Sequence, residues 1–154
     1  MIKYLSIKFE NDAYWIEIGE SGYATRQVNM ELDNQVRVSC LEDCLTEGMI
    51  IEDEIEGIVT KIEQHEFENI WNKVIERQRI FWENEKKYYA IGQEVRCKVK
   101  YCYPQGWVLK IGELQGICDF EHEIYYNEIV LGKVIGYDEI NMWLIIEETL
   151  QQSN

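Results

Sequence analysis

Apolar and polar residues trade places from Ile2 to Phe9, and Asn11-Asp12 then marks a turn. The alternation resumes over Ala13 to Ile18, with Tyr14, Ile16 and Ile18 on one face and Trp15 and Glu17 on the other. Gly19-Glu20-Ser21-Gly22 turns the chain into Tyr23 to Leu32. Asp33-Asn34 turns it again into Val36-Arg37-Val38-Ser39-Cys40. Connections this short cannot carry a crossover, so the pattern predicts an antiparallel meander.

The period then lengthens. Phe67, Ile70, Trp71, Val74, Ile75, Gln78, Phe81 and Trp82 recur at three and four, which is one face of a helix. Thr60-Lys61-Ile62-Glu63 fits a capping box, and Lys86-Lys87 suit the negative end of a helix dipole. The spacing therefore predicts one long amphipathic helix from about Lys61 to Lys87. Its first half is expected to cover the sheet.

From Ile91 the period returns to two. Val95, Cys97, Val99 and Tyr101 alternate with Arg96, Lys98 and Lys100, and Pro104-Gln105-Gly106 turns into Trp107 to Ile111. Gly112-Glu113 leads to Leu114 to Phe120. A polar connection precedes Ile129 to Tyr137, and Asp138 to Asn141 loops back into Met142 to Glu147. Five short strands broken by glycine turns predict a small closed barrel. The fold class is thus α+β: an antiparallel sheet with one long helix over residues 1–88, then a five-stranded barrel over 89–154.

Composition sharpens this. The chain has 154 residues, 46% hydrophobic and 12% aromatic, enough apolar material to exclude wholesale disorder. It carries 15 Lys+Arg against 29 Asp+Glu, a formal net charge of −14. That excess argues against nucleic acid as the main partner and against anionic membrane surfaces. No apolar run approaches the roughly 18–20 residues that span a bilayer. Met1 to Lys8 alternates rather than forming a signal-type hydrophobic centre, so the expected location is the cytoplasm. Five cysteines at irregular spacing (Cys40, Cys44, Cys97, Cys102 and Cys118) fit a reducing compartment better than a disulfide framework.

The segment from about Tyr89 to Glu148 resembles the S-one RNA-binding domain, an OB-fold family. The resemblance rests on Ile91-Gly92-Gln93-Glu94-Val95, on Gly106 to Ile111 followed by Gly112 and Gly116-Ile117, and on Val134-Ile135-Gly136-Tyr137-Asp138. It implies a five-stranded S-one-like OB barrel and an RNA-binding function. The family's outward stacking Phe falls on Val108, with Trp107 in the inward register. Its nucleic-acid-contacting His falls on Asp119, and an outward acidic position becomes Lys110. These departures leave the barrel intact and remove features that meet a base or phosphate. In the N-terminal part, Tyr23-Ala24-Thr25-Arg26-Gln27-Val28 and Glu66-Phe67-Glu68-Asn69-Ile70-Trp71 are similar to stretches of small uncharacterised bacterial proteins, some associated with toxin immunity.

Two charged groups stand out as binding candidates. Between Leu41 and Thr60 there is no basic residue, yet Glu42, Asp43, Glu47, Glu52, Asp53, Glu54 and Glu56 all fall there. They read either as a surface for a cationic protein, such as a toxin or the basic cleft of a nuclease, or as a solvated loop. Arg96, Lys98, Lys100 and Lys110 lie on neighbouring barrel strands near Tyr101, Tyr103 and Trp107. They read either as a track for single-stranded RNA or as ordinary outward alternation. Trp15, in the register opposite Tyr14, Ile16 and Ile18, is a candidate interface anchor.

Other chemistry is weakly supported. Cys40-x-x-x-Cys44 and Cys97-x-x-x-x-Cys102 lack the tight knuckles of zinc sites, and His65 and His122 have no partner pattern. Phosphate-cradling, nucleophile-elbow and zinc-protease motifs are absent. No catalytic residue, cofactor or metal is expected. The expected function is non-catalytic: an acidic inhibitor or immunity-type protein for a basic partner, with an RNA-binding S-one-like module as the alternative.

Overall fold

The computed structural model describes residues 1–149, which divide into two compact units, Met1–Arg77 and the chain from Gln78 onward. The first unit is built on an antiparallel sheet of β1 (Lys3–Lys8), β2 (Ala13–Ile18), β3 (Ala24–Glu31), β4 (Gln35–Val38) and β5 (Ile58–Lys61). Their order is β4-β3-β2-β1-β5, so the expected meander is present and a fifth strand has joined its free edge.

That fifth strand uses residues that the sequence pattern assigns to a helix start. Thr60 pairs with Ser6 across the ladder, which leaves no capping box at this point. The helical stretch begins at Gln64 and divides in two, α1 (Gln64–Val74) and α2 (Glu76–Glu85), with Ile75 between them at φ −90° and ψ 4°. A 3-10 turn over Lys86–Tyr88 completes it. Glu63 takes the N-cap position in an extended conformation.

Both faces of the sheet are covered. Tyr4, Glu17 and Arg26 share one row and meet α1, where Phe67 lies 5.3 Å from the Tyr4 ring and both Phe67 and Trp71 are buried. Leu5, Ile16 and Gln27 share the adjacent row on the opposite face, and all three are fully buried. The connection from Ser39 to Gly57 is fastened there. The Thr46 amide donates to Gln27 Oε1 at 2.8 Å, and Gln27 Nε2 donates to Asn29 Oδ1 at 2.8 Å. Buried amides of this kind need such partners, and here they pin the loop.

The second unit holds β6 (Glu94–Tyr103), β7 (Gly106–Ile111), β8 (Leu114–Cys118), β9 (Ile129–Asp138) and β10 (Trp143–Glu148), closed in the order β10-β8-β7-β6-β9. Only β8 and β10 run parallel. This closed five-stranded mixed barrel is consistent with an OB-like fold. Its interior is packed with Cys97, Val99, Leu109, Leu114, Val134, Leu144 and Ile146. Trp82 of α2 is buried too, and its indole N–H donates to Glu139 Oε2 at 2.7 Å. No helix among the described residues is long and apolar enough to cross a membrane.

Candidate binding surfaces

The acidic run lies wholly in the connection between β4 and β5, and it falls into two parts. Glu42, Asp43 and Glu47 follow β4. Glu42 accepts from Arg37 Nε at 3.1 Å, and the Asp43 carbonyl accepts from Arg37 Nη2 at 3.4 Å. Burial and then the neighbouring Glu47 push the Asp43 carboxyl up from its ordinary value. Glu52, Asp53 and Glu54 form a 3-10 turn, and Glu52 and Asp53 line a shallow groove with Lys3, Gly19, Glu20 and Ile50. Glu56 is exposed just beyond it. Glu42 is the member held in an ion pair. Asp43, Glu47, Glu52, Asp53, Glu54 and Glu56 form none within 4 Å among the described residues.

The loop that carries them is firmly placed. Besides the Thr46–Gln27 bond, the Ser39 amide donates to the Gln27 carbonyl at 3.0 Å and the Ile50 amide to the Gly22 carbonyl at 2.8 Å. Cys40 and Leu45 are buried beneath it. Trp15 pairs with Ser6 and Val28 in the ladder and is half-buried on the face that α1 shares.

On the barrel, Lys98 sits directly opposite Lys110 on one side and Ile129 on the other, and Arg96 opposite Leu131. All five are exposed. Lys133, on the same outer face of β9, stands opposite Glu94 and Glu147. Arg96, Lys98, Lys110 and Lys133 have no ion pair within 4 Å among the described residues. Lys100 is half-buried, with its Nζ 5.4 Å from the Tyr126 ring centroid.

The aromatic partners differ from those the sequence pattern nominates. Tyr103 is buried at 5% exposure, and the half-buried Tyr101 ring lies tilted against it at a centroid distance of 4.9 Å. Tyr125 and Tyr126, in the connection before β9, are instead the exposed rings at 61% and 66%. Loop position and Tyr-Tyr adjacency were the available signals for them, and the outward alternation of β9 was the signal for Lys133. Val108 does take the outer register, opposite Tyr101 and Ile117, yet it is fully buried. Trp107 takes the inner register opposite Cys118.

Cys40, Cys97 and Cys118 are buried in the core, Cys44 is half-buried and Cys102 is exposed. Burial pushes Cys97 up to about 12, Cys118 to about 11 and Cys44 to about 12. Among the described residues, no group of three or more His, Cys, Asp or Glu converges on a metal position. The His122 imidazole faces Glu148 Oε1 at 2.6 Å, and hydrogen bonding to that carboxylate raises its pKa.

The chain is therefore an α+β protein with a sheet unit that carries a run of unpaired carboxylates and a closed barrel that carries unpaired cations on β6, β7 and β9. No protein-family model matches it, and none of the curated proteins does.

Proposed function

We propose that this protein is a non-catalytic binding protein of the inhibitor or immunity type, in which the 42–56 loop covers a basic surface of a protein partner. The observation that carries the reading is a loop pinned to a buried sheet face while six of its carboxylates remain unpaired among the described residues. Charge held in place before association loses little freedom on binding, and it steers an oppositely charged partner. A toxin or nuclease with a cationic cleft is the fitting class.

The test is capture of the cognate partner from native lysate by the full chain, compared with a Glu52→Ala, Asp53→Ala, Glu54→Ala variant. A basic protein retained at low salt, released at high salt and lost with the triple variant is the expected result. Retention that ignores both salt and the substitutions would overturn the reading.

A second reading is favoured by the cations of the barrel: an S-one-like module that binds single-stranded RNA. Lys98, Lys110, Arg96 and Lys133 would neutralise phosphates, and Tyr126 beside Lys100 would offer a stacking face. Fluorescence anisotropy with mixed-sequence RNA at about 0.1 M salt tests it, since phosphate contacts weaken steeply with salt. Binding lost in Lys98→Ala, Lys110→Ala supports it, and a flat titration removes it.

A further inference from the structure

A groove of about 470 Å³ runs along the outer wall of the barrel over β8, β9 and β10. Its floor is aliphatic. Ile117 and Ile145 are partners in the parallel pair, Gly136 is the partner of Ile145 on β9, and Ile135 stands at the bulge beside it. A Cβ at Gly136 would lie 3.4 Å from Ile145 Cδ1, so a longer side chain there would lie against a residue of the floor.

The groove ends in negative charge. Asp119 and Glu147 each lie two residues beyond the paired isoleucines. Glu147 keeps the outward register of Ile145 on β10, and Asp119, the first residue past the end of β8, lines the same groove. Neither carboxylate has an ion pair within 4 Å among the described residues, although Lys133 is the ladder partner of Glu147. Asp138, also on the rim, is already engaged: it accepts from the Ile140 and Asn141 amides and from Asn141 Nδ2.

We propose that this groove binds a cationic aliphatic segment of a protein partner. Apolar side chains of the segment lie on Ile117, Ile135 and Ile145, and a Lys or Arg places its head between Asp119 and Glu147 while its methylenes follow the floor. The barrel is closed, so no strand edge is free for backbone pairing, and recognition is by side chains. Carboxylates at the end of the groove disfavour an anionic occupant. The site belongs to the barrel and is independent of the 42–56 loop.

The test titrates the isotope-labelled full chain with a blocked hexapeptide of alternating leucine and arginine, followed by amide chemical shifts. The controls are an arginine–serine hexapeptide and spermine. The expected result is shifts confined to β8, β9 and β10, with affinity reduced about tenfold or more in Asp119→Asn, Glu147→Gln and in Gly136→Leu. The first variant breaks no ion pair among the described residues and should fold normally, so it decides the question if Gly136→Leu does not fold. The Glu52, Asp53, Glu54 variant should bind the peptide unchanged. Equal binding of spermine or the arginine–serine peptide, unchanged affinity in the groove variants, or no shifts in the groove would each overturn the proposal.

Discussion

Arg26 and Glu68 are 42 residues apart in the chain, yet the Arg26 guanidinium donates Nη1 to Glu68 Oε2 at 3.1 Å and fastens α1 to the sheet. The same group holds Glu17 through Nη2 at 2.6 Å and Nε at 3.0 Å, and lies about 5 Å from the rings of Phe67 and Trp71. Burial opposes the charge, but the bonds to Glu17 and Glu68 outweigh it and hold Arg26 protonated. Arg26→Ala should destabilise the protein by about 3–5 kcal/mol, because it strands Glu17 in a site only 13% exposed. Glu68→Ala, at a position 30% exposed, should be milder. Urea unfolding of both variants measures this, and equal small losses would contradict the coupling.

Glu17 links the same cluster to acid stability. Burial raises its pKa, but hydrogen bonds from Arg26, Thr25 and Tyr4 and the Arg26 charge bring it below its ordinary value. The folded state therefore binds that proton less readily than the unfolded chain. The stabilisation is complete above the ordinary Glu value near about 4.3 and fades as the pH drops through the lower folded value. Glu17→Gln should flatten the dependence of unfolding free energy on pH below about pH 5. A variant with an unchanged acid slope would assign acid sensitivity to other carboxylates.

The cysteines give a direct check on burial. Cys97, Cys118 and Cys44 have thiols pushed up to about 12, 11 and 12, and Cys40 is fully buried. Cys102 is exposed, with a milder upward shift from burial and then Asp119. Since the thiolate is the reactive form, one cysteine should modify quickly in the native protein near pH 8, and mapping should place it at Cys102. All five should react after denaturation. Rapid labelling of Cys97 would show that the barrel opens.

The barrel strands were legible through alternate burial, which β6 shows most clearly: Val95, Cys97 and Val99 inside, Arg96 and Lys98 outside. In the sheet, β1 and β3, covered on both faces, bury consecutive residues and were legible from the turns around them. The fifth strand of the sheet was not. Ile58–Lys61 is an edge strand with no fully buried position, so it carries no two-residue period to read. The helical spacing was visible, but its interruption at Ile75 changes no residue type. The charge clusters could be located from the sequence but not their pairing: Glu42, one of the seven acids of the run, is held by Arg37. That Tyr103 is buried while Tyr126 is exposed follows from tertiary contacts, which no local pattern records. The groove was invisible for a related reason: its parallel strands β8 and β10 are separated in the chain by residues 119–142, with β9 between them.

Two glycines of the barrel should respond in opposite ways. A Cβ at Gly116 would fall 2.8 Å from the Leu144 carbonyl oxygen and 2.6 Å from Ile111 Cδ1, inside the packed interior. Gly116→Ala should then cost about 1–3 kcal/mol as an overpacked core. Gly136 faces outward with ordinary contacts, so Gly136→Ala should stay within about 0.5 kcal/mol of the parent. Thermal melts compare the two, and equal losses would place Gly136 in the interior.

Lys98 opposite Lys110 is a like-charge pair directly across a ladder, an arrangement that lowers stability. Ile129, its other neighbour, offers no compensating carboxylate. Lys98→Thr retains strand propensity, removes the repulsion and should raise stability by about 0.2–1 kcal/mol, with the gain shrinking as salt screens the parent pair. A position where neutralising a residue stabilises the fold is one where the charge serves something other than folding. If the substitution instead destabilises at every salt concentration, Lys98 packs its methylenes on Ile129 as a structural element, and the cationic face loses its strongest argument for a ligand.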